Sequence, residues 1–276
     1  MKSDEDQQLK LKSYFENDDI ENLDPSSNRL EGLNALVTGG GQGIGRRISL
    51  EFANEGANVA INDLSSQKDK ADRVAQYIEG ELNKNTWIAE GDVSDLDDMK
   101  KVKEQVEENL GKIDILVNNA GINRDSLFIK MDKEEWDQVL SVNLDGAFNT
   151  THVFLDHLRE SDQGRIINMS SVVGETGNIG QVNYASSKAG LIGFTKALAR
   201  ELVRDEVTVN AVAPGFVDTL MVKNMPEKVK KKILDQIPMG RFAEPKEVAK
   251  VFCFLASEKS SYITGEVIRM NGGFYL

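Results

Sequence analysis

The run Thr38-Gly-Gly-Gly-Gln-Gly-Ile-Gly45 joins an apolar segment, Asn34-Ala-Leu-Val-Thr38, to an amphipathic one, and the architecture follows from that junction. The apolar segment has the length and composition of a strand buried on both faces. Residues 44–55 carry helical periodicity and stop at Gly56. The glycines read T-G-x-x-x-G-x-G, with Gly39, Gly43 and Gly45 at the fixed places, rather than the commoner G-x-G-x-x-G. Glycine lets the backbone turn sharply and approach a pyrophosphate, which the free N–H groups of a helix start at Gly43, Ile44 and Gly45 would bind. A purely structural turn would use the same residues. The place of the loop, after the first strand and before a helix, favours the nucleotide.

Working outward, further strands are expected at residues 58–62, 86–89, 113–117, 165–169, 207–213 and 266–270. Helices are expected at 68–82, 96–110, 134–159, 184–203, 228–236 and 245–256. That alternation predicts an α/β fold: a single Rossmann-type, doubly wound domain over residues 32–276 with a mostly parallel seven-stranded sheet. Residues 1–31 are rich in Asp and Glu and poor in apolar positions. They read as an acidic extension, in part disordered, with a short helix around residues 9–15; a packing arm and a passive tail are both open.

Composition narrows the functional classes. Hydrophobic residues make up 40% and charged residues 28% of the 276, an ordinary globular balance. No apolar run approaches the roughly 20 residues that span a bilayer, and the acidic start matches neither a signal nor a transit peptide. The single cysteine, Cys253, excludes an internal disulfide framework and fits a reducing compartment, so a cytoplasmic protein is expected. A net charge of −12 repels phosphate backbones and anionic membranes, so neither nucleic acid nor membrane is an expected partner.

Asp63 ends the second strand, where an acidic residue meets the adenosine ribose in such folds. A carboxylate there accepts hydrogen bonds from both ribose hydroxyls and repels a 2′-phosphate. With the uncharged Gln42 in the glycine loop, this favours NAD(H). Arg46 keeps NADP(H) as the alternative, and a simple turn role for Asp63 before Leu64-Ser-Ser also stands.

Tyr184 and Lys188 form Y-x-x-x-K, four apart on one helix face with a rise of about 6 Å. A nearby ammonium favours phenolate, so the Tyr184 pKa is expected below its usual value of about 10. Tyr184 then becomes a proton donor and acceptor for a carbonyl oxygen. Ser170-Ser171 lies at the end of the fifth strand, the edge where open α/β sheets place ligands, and Ser171 can hold a substrate oxygen.

With these residues in view, the chain from residue 33 onward resembles the short-chain dehydrogenase/reductase family. The resemblance implies a catalytic tetrad of Asn143, Ser171, Tyr184 and Lys188, in which Asn143 holds a water in a proton relay through Lys188. It implies that Asn118-Asn119-Ala120-Gly121 supports the central strand and the adenosine side, and that Asp92 and Val93 lie at the adenine. Pro214, Gly215, Val217 and Thr219 match the segment that meets the nicotinamide carboxamide, and Tyr184 and Lys188 also adjoin the cofactor. The implied reaction is direct hydride transfer between a nicotinamide and a carbonyl, with the proton from Tyr184.

Longer stretches resemble one branch, the bacterial-type 3-oxoacyl-thioester reductases: Gly121-Ile-Asn-Arg-Asp125, Met131-Asp-Lys-Glu-Glu-Trp136, Ile237-Pro-Met-Gly-Arg-Phe242 and Tyr262-Ile-Thr-Gly-Glu266. This implies a 3-oxoacyl thioester substrate and a homotetramer. Glu160-Ser-Asp-Gln-Gly164 and Arg204-Asp-Glu206 stand where reductases of acidic acyl carrier protein show basic residues beside the cleft. Like charges weaken encounter, so a CoA thioester is modestly favoured over the carrier protein. A sugar, polyol or hydroxysteroid substrate is the alternative, and a non-enzymatic NAD-sensing scaffold is a third reading that the full tetrad disfavours. His152 and His157 read as packing rather than metal ligands, as do Cys253, Trp136 and Phe148 as packing or subunit contacts. The Lys228–Lys232 cluster is either a CoA contact or a solvated helix face.

Overall fold

Parallel ladders join seven strands in a computed structural model of the chain, which describes residue 23 and residues 26–276. The helix expected around residues 9–15 lies outside the described residues. The strands are β1 (Asn34–Thr38), β2 (Asn58–Asp63), β3 (Thr86–Glu90), β4 (Ile115–Asn118), β5 (Arg165–Met169), β6 (Thr208–Pro214) and β7 (Val267–Met270). Their order in space is β3-β2-β1-β4-β5-β6-β7, and every pairing is parallel, where the sequence led us to expect a mostly parallel sheet. The chain winds outward from β1 to β3, returns to the centre at β4, and winds the other way. Neighbouring β1 and β4 therefore form the switch point of a doubly wound sheet.

Each strand feeds both faces because successive side chains alternate. Ala35 and Val37 of β1, Val59 and Ile61 of β2, and Ile115 and Val117 of β4 join one buried cluster. Helices α1 (Gly43–Asn54), α2 (Lys68–Glu81) and α8 (Pro245–Ala256) cover it with Ile48, Phe52, Val74, Ile78 and Phe252. Leu36, Ala60, Leu116, Ile166 and Val209 face the other way. There α3 (Leu96–Asn109), α5 (Gly146–Glu160) and α6 (Val182–Leu202) contribute Met99, Val102, Phe154, Leu158 and Ala199. Cys253 sits in the first cluster as packing, and burial pushes its thiol up.

Several expected boundaries shift by one or two residues, and two differences have a structural cause. The single helix expected over 134–159 is α4 (Lys133–Leu140) and α5, joined by a π-helical turn at Ser141–Asp145. The wider turn carries Asn143, which is 1% exposed, into the interior. The fourth strand begins at Ile115 rather than at residue 113, because the Ile113 amide donates to His157 Nδ1 at 3.4 Å. His157 is itself buried and its Nε2 lies 2.7 Å from Glu107 Oε1, which accounts for this histidine as internal structure.

Residues 26–31 are tied to the domain. Leu30 is fully buried in the α1/α8 cluster. The Glu55 carboxylate at the end of α1 accepts from the amides of Ser27 and Arg29, both at 3.2 Å, and pairs with the Arg29 guanidinium. Of the remaining helices, α7 (Glu227–Leu234) lies between β6 and α8 in the chain, and Val173–Thr176 and Leu220–Lys223 are single turns.

Candidate active site

A wholly parallel sheet puts all its carboxyl ends on one edge. The glycine loop after β1, Asn119 to Gly121 after β4, Ser171 after β5 and Gly215 after β6 therefore share that edge.

The glycine loop is built for close backbone approach. Gly39 and Gly43 have φ of +61° and +56°, the left-handed region that side chains disfavour. A Cβ on Gly45 would stand 2.2 Å from the Gly39 carbonyl oxygen and 2.4 Å from Asn119 Nδ2, so no larger residue fits. Thr38 fastens this loop to the next: its hydroxyl accepts from the amides of Asn119 and Ala120, both at 3.0 Å, and donates to the Val117 carbonyl. Asn119 returns the contact, donating to the carbonyls of Thr38 and Gly39 at 2.9 and 3.1 Å. Side chains of Asp95, Asp132 and Glu244 cap α3, α4 and α8, but no side chain caps α1 and its first turn holds no acidic residue. The amides of Gly43, Ile44 and Gly45 thus keep the anion-binding character of a helix start. This donor set, with no room for a Cβ at Gly45, fits a dinucleotide pyrophosphate.

Asp63 closes β2 beside this loop, 9% exposed. Its Oδ2 accepts from the Gly41 amide at 3.2 Å and its Oδ1 from Leu64 at 3.0 Å. Burial pushes the carboxyl up, against the pull of those amides and of the Lys70 charge. Lys70 Nζ donates to Gln42 Oε1 at 2.6 Å, so an ammonium stands beside the acid and the neutral amide, where the sequence had offered Arg46 as the basic group. Sequence reasoning missed Lys70 because the contact crosses 28 positions and nothing in the helical pattern of α2 marks it. Asp92 holds the turn after β3 by accepting from the Ser94 amide and hydroxyl at 2.9 and 2.7 Å. The neighbouring Val93 is buried, and its carbonyl accepts from Asn149 at 2.9 Å.

The four tetrad residues are brought together from three segments. Ser171 follows β5, Tyr184 and Lys188 lie on α6, and Asn143 lies on the π-helical turn. The Ser171 hydroxyl acts on the Tyr184 phenol, favouring its ionised form, and accepts from the Val173 amide at 3.2 Å. Asn143 accepts from the Ile122 amide at 2.8 Å and donates to the Ile122 carbonyl and to Ser187 Oγ. Gly121 separates Asn143 from Lys188: a Cβ there would meet Asn143 Oδ1 at 3.2 Å and Lys188 Nζ at 3.4 Å.

The expected direction of the Tyr184 shift is reversed in this arrangement. Burial pushes the phenol up, the Ser171 hydroxyl opposes the rise, and the Asp125 carboxylate adds to it. Lys188 supplies no compensating pull. Its Nζ donates to the Met169 carbonyl at 2.7 Å and lies over the Tyr184 ring, 5.6 Å from its centre, where it meets the ring face rather than the hydroxyl. Burial lowers Lys188 itself to about 8.

At the end of β6, the Pro214 carbonyl accepts from the Val172 amide at 2.9 Å, which ties this segment to the turn after Ser171. The Gly215 amide donates to Met270 at 2.8 Å, and a Cβ at Gly215 would stand 3.0 Å from the Asn271 Cα. Val217 is buried and bridges to Ala243, while the Thr219 amide donates to the Val217 carbonyl at 2.7 Å.

The two acidic neighbourhoods expected beside the cleft are elsewhere. Residues 160–164 precede β5 and residues 204–206 precede β6, so both occupy the amino edge of the sheet. Arg159 Nε donates to Asp205 Oδ2 at 2.8 Å, and Glu160 pairs with Lys112. A five-residue strand, about 17 Å long, separates residues 160–164 from Ser171 within the chain.

The fold and site together define a dinucleotide-binding α/β oxidoreductase with a Ser-Tyr-Lys constellation. A family model described as enoyl-(acyl carrier protein) reductase matches residues 39–275. The chain is 48% identical over 249 residues to the 3-oxoacyl-(acyl-carrier-protein) reductase FabG of Thermotoga maritima, covering 90% of this chain and 100% of that protein. Its identity to the protein of the same name from Aquifex aeolicus is 48% over 247 residues, covering 90% and 99%, and to that from Staphylococcus aureus 45% over 242 residues, covering 88% and 98%. The chain belongs to the short-chain dehydrogenase/reductase family and is an NAD(P)-dependent oxidoreductase acting on CH–OH and C=O groups. Among the described residues, no helix is long and apolar enough to cross a membrane.

Proposed function

We propose that this protein reduces a 3-oxoacyl thioester to the 3-hydroxyacyl thioester. The observation that carries the reading is the meeting of Ser171, Tyr184 and Lys188 at the edge that holds the glycine loop. A bound nicotinamide supplies hydride to the ketone carbon. Ser171 and Tyr184 hold the ketone oxygen between two hydroxyls, and the Tyr184 O–H bond breaks as its proton passes to that oxygen. A phenol kept protonated by burial suits the reductive direction. Lys188 and Asn143 sit behind Tyr184 as the route by which its proton is restored.

The carrier we favour is acyl carrier protein. The charge argument for CoA rested on residues that lie at the far edge of the sheet, and the curated relatives carry the carrier protein in their names. Those names also favour a thioester over a sugar, polyol or hydroxysteroid. Asp63 supports NAD(H), and Lys70 beside Gln42 supports tolerance of a 2′-phosphate, so NADP(H) is the second coenzyme. A homotetramer is supported by exposed aromatic side chains on two faces, Phe148 on α5 and Tyr262 before β7.

The test is oxidation of NADH and NADPH, side by side, with acetoacetyl-CoA and with acetoacetyl carrier protein. Turnover that Tyr184→Phe abolishes, by about 100-fold or more, is the expected result. Absence of turnover with both thioesters would refute the substrate class.

A further inference from the structure

The segment after β4 is laced to the start of the tyrosine helix. Gln181 precedes α6 and its Nε2 lies 3.0 Å from both carboxylate oxygens of Asp125. The Ser126 amide donates to the Gly180 carbonyl at 2.8 Å. Asn183 Nδ2 donates to the carbonyls of Arg124 and Glu135 at 2.9 and 3.1 Å, while its Oδ1 accepts from the Tyr184 amide at 2.8 Å. The residue at the N-cap of α6, Gln181, makes no side-chain capping hydrogen bond, so this lacing holds the entry of the helix. The bond to Asp125 is its one charge-assisted member, and such bonds are the stronger kind.

We propose that Asp125 is a positioning residue for the reductive step: its carboxylate grips Gln181 to fix the entry of the helix that carries Tyr184, and sets a negative charge at that entry. The proposal rests on Tyr184 being the proton donor read above. Other charged groups on the elements against α6 are engaged elsewhere. Glu175 pairs with Arg269, Lys133 with Asp137, and Asp205 with Arg159. Glu135 closes the capping box of α4, Glu134 accepts from Gln138, and Arg124 donates to Gln138. Asp145 on the π-helical turn is exposed, and Lys188 on α6 itself is bound to Met169. Among the charged groups, Asp125 is the one that pushes the Tyr184 phenol up, second to burial. A phenol held as phenol is the form that donates a proton, so this charge favours reduction over alcohol oxidation.

The deciding measurement is the ultraviolet titration of Tyr184, read as the difference between each protein and its Y184F counterpart, for the parent and for D125N. D125N keeps an oxygen acceptor for Gln181 and removes the charge. Its tyrosinate transition is expected at lower pH than the parent's, and the alkaline limb of thioester reduction moves the same way. Both displacements shrink at about 1 M salt, because Asp125 is exposed and the screening length falls to about 3 Å. D125A also removes the grip and is expected to lower kcat about tenfold while NADPH fluorescence still reports cofactor binding. A D125N transition that coincides with the parent's overturns this proposal alone; undiminished turnover by Y184F overturns the reading of Tyr184 and this proposal with it.

Discussion

The Lys188 ammonium lies 5.6 Å from the centre of the Tyr184 ring and gives its hydrogen bond to the Met169 carbonyl at 2.7 Å. Lys188 is 3% exposed, and the cost of burying its charge brings it down to about 8 from 10.5. Between those two values the unfolded chain binds more protons than the native one, so stability attributable to this group rises with pH. Below about pH 8 the burial cost is felt in full. Urea unfolding of the parent and of Lys188→Met should therefore differ by a quantity that moves in the parent's favour, on the order of 3 kcal/mol, between pH 7 and about pH 10.5. A difference independent of pH would refute the depressed lysine.

Gly45→Ala should lose cofactor before it loses fold. The new Cβ meets the Gly39 carbonyl oxygen, which is backbone, and Asn119 Nδ2, which two hydrogen bonds hold in place. Overpacking of this kind costs about 1–3 kcal/mol and would displace the loop. Equilibrium binding of NADH, followed by fluorescence, should weaken at least about tenfold. Binding at parental strength would show that the loop relaxes freely.

Lys70→Glu should separate the two coenzymes. On the proposed reading, the ammonium beside Gln42 would meet a 2′-phosphate and Asp63 the unphosphorylated ribose. The KM for NADPH should rise about tenfold relative to that for NADH. Equal changes for both would mean that Lys70 acts only through the shape of the loop.

Glu55 anchors residues 26–31 through two amides and the Arg29 guanidinium. Burial pushes its carboxyl up, but Arg29 and the two amides outweigh this and hold it below the ordinary value. The associated stability is present above the unfolded pKa and is lost as pH falls through the native one. Glu55→Gln should cost about 1–3 kcal/mol at neutral pH and flatten the acid limb of the stability curve. An unchanged melting temperature at pH 7 would show that Leu30 alone holds the segment.

Much of the architecture was legible because it rests on short-range pattern. The runs at Asn34–Thr38 and Arg165–Met169 are apolar on both faces, as strands covered by helices on both sides must be. The helix expected over 134–159 was not legible as two, because a π-helical turn at Ser141–Asp145 keeps helical periodicity on either side and differs only in hydrogen-bond register. The sequence also set the acidic residues at 160–164 and 204–206 beside the wrong edge. Position before a strand marks its amino end, and only the strand's direction in the sheet says which edge that is.

Sequence alone determined the class: the glycine loop, the Y-x-x-x-K pair, Ser171 and Asn143 are residue types at spacings that helix and strand geometry read directly. Tertiary structure decided how those groups are tuned. The direction of the Tyr184 shift, the value of Lys188, and the placing of Lys70 and Asp125 depend on burial and on contacts between segments tens of positions apart. Desolvation and Coulomb forces act through space, so a one-dimensional pattern carries the groups but not the field between them.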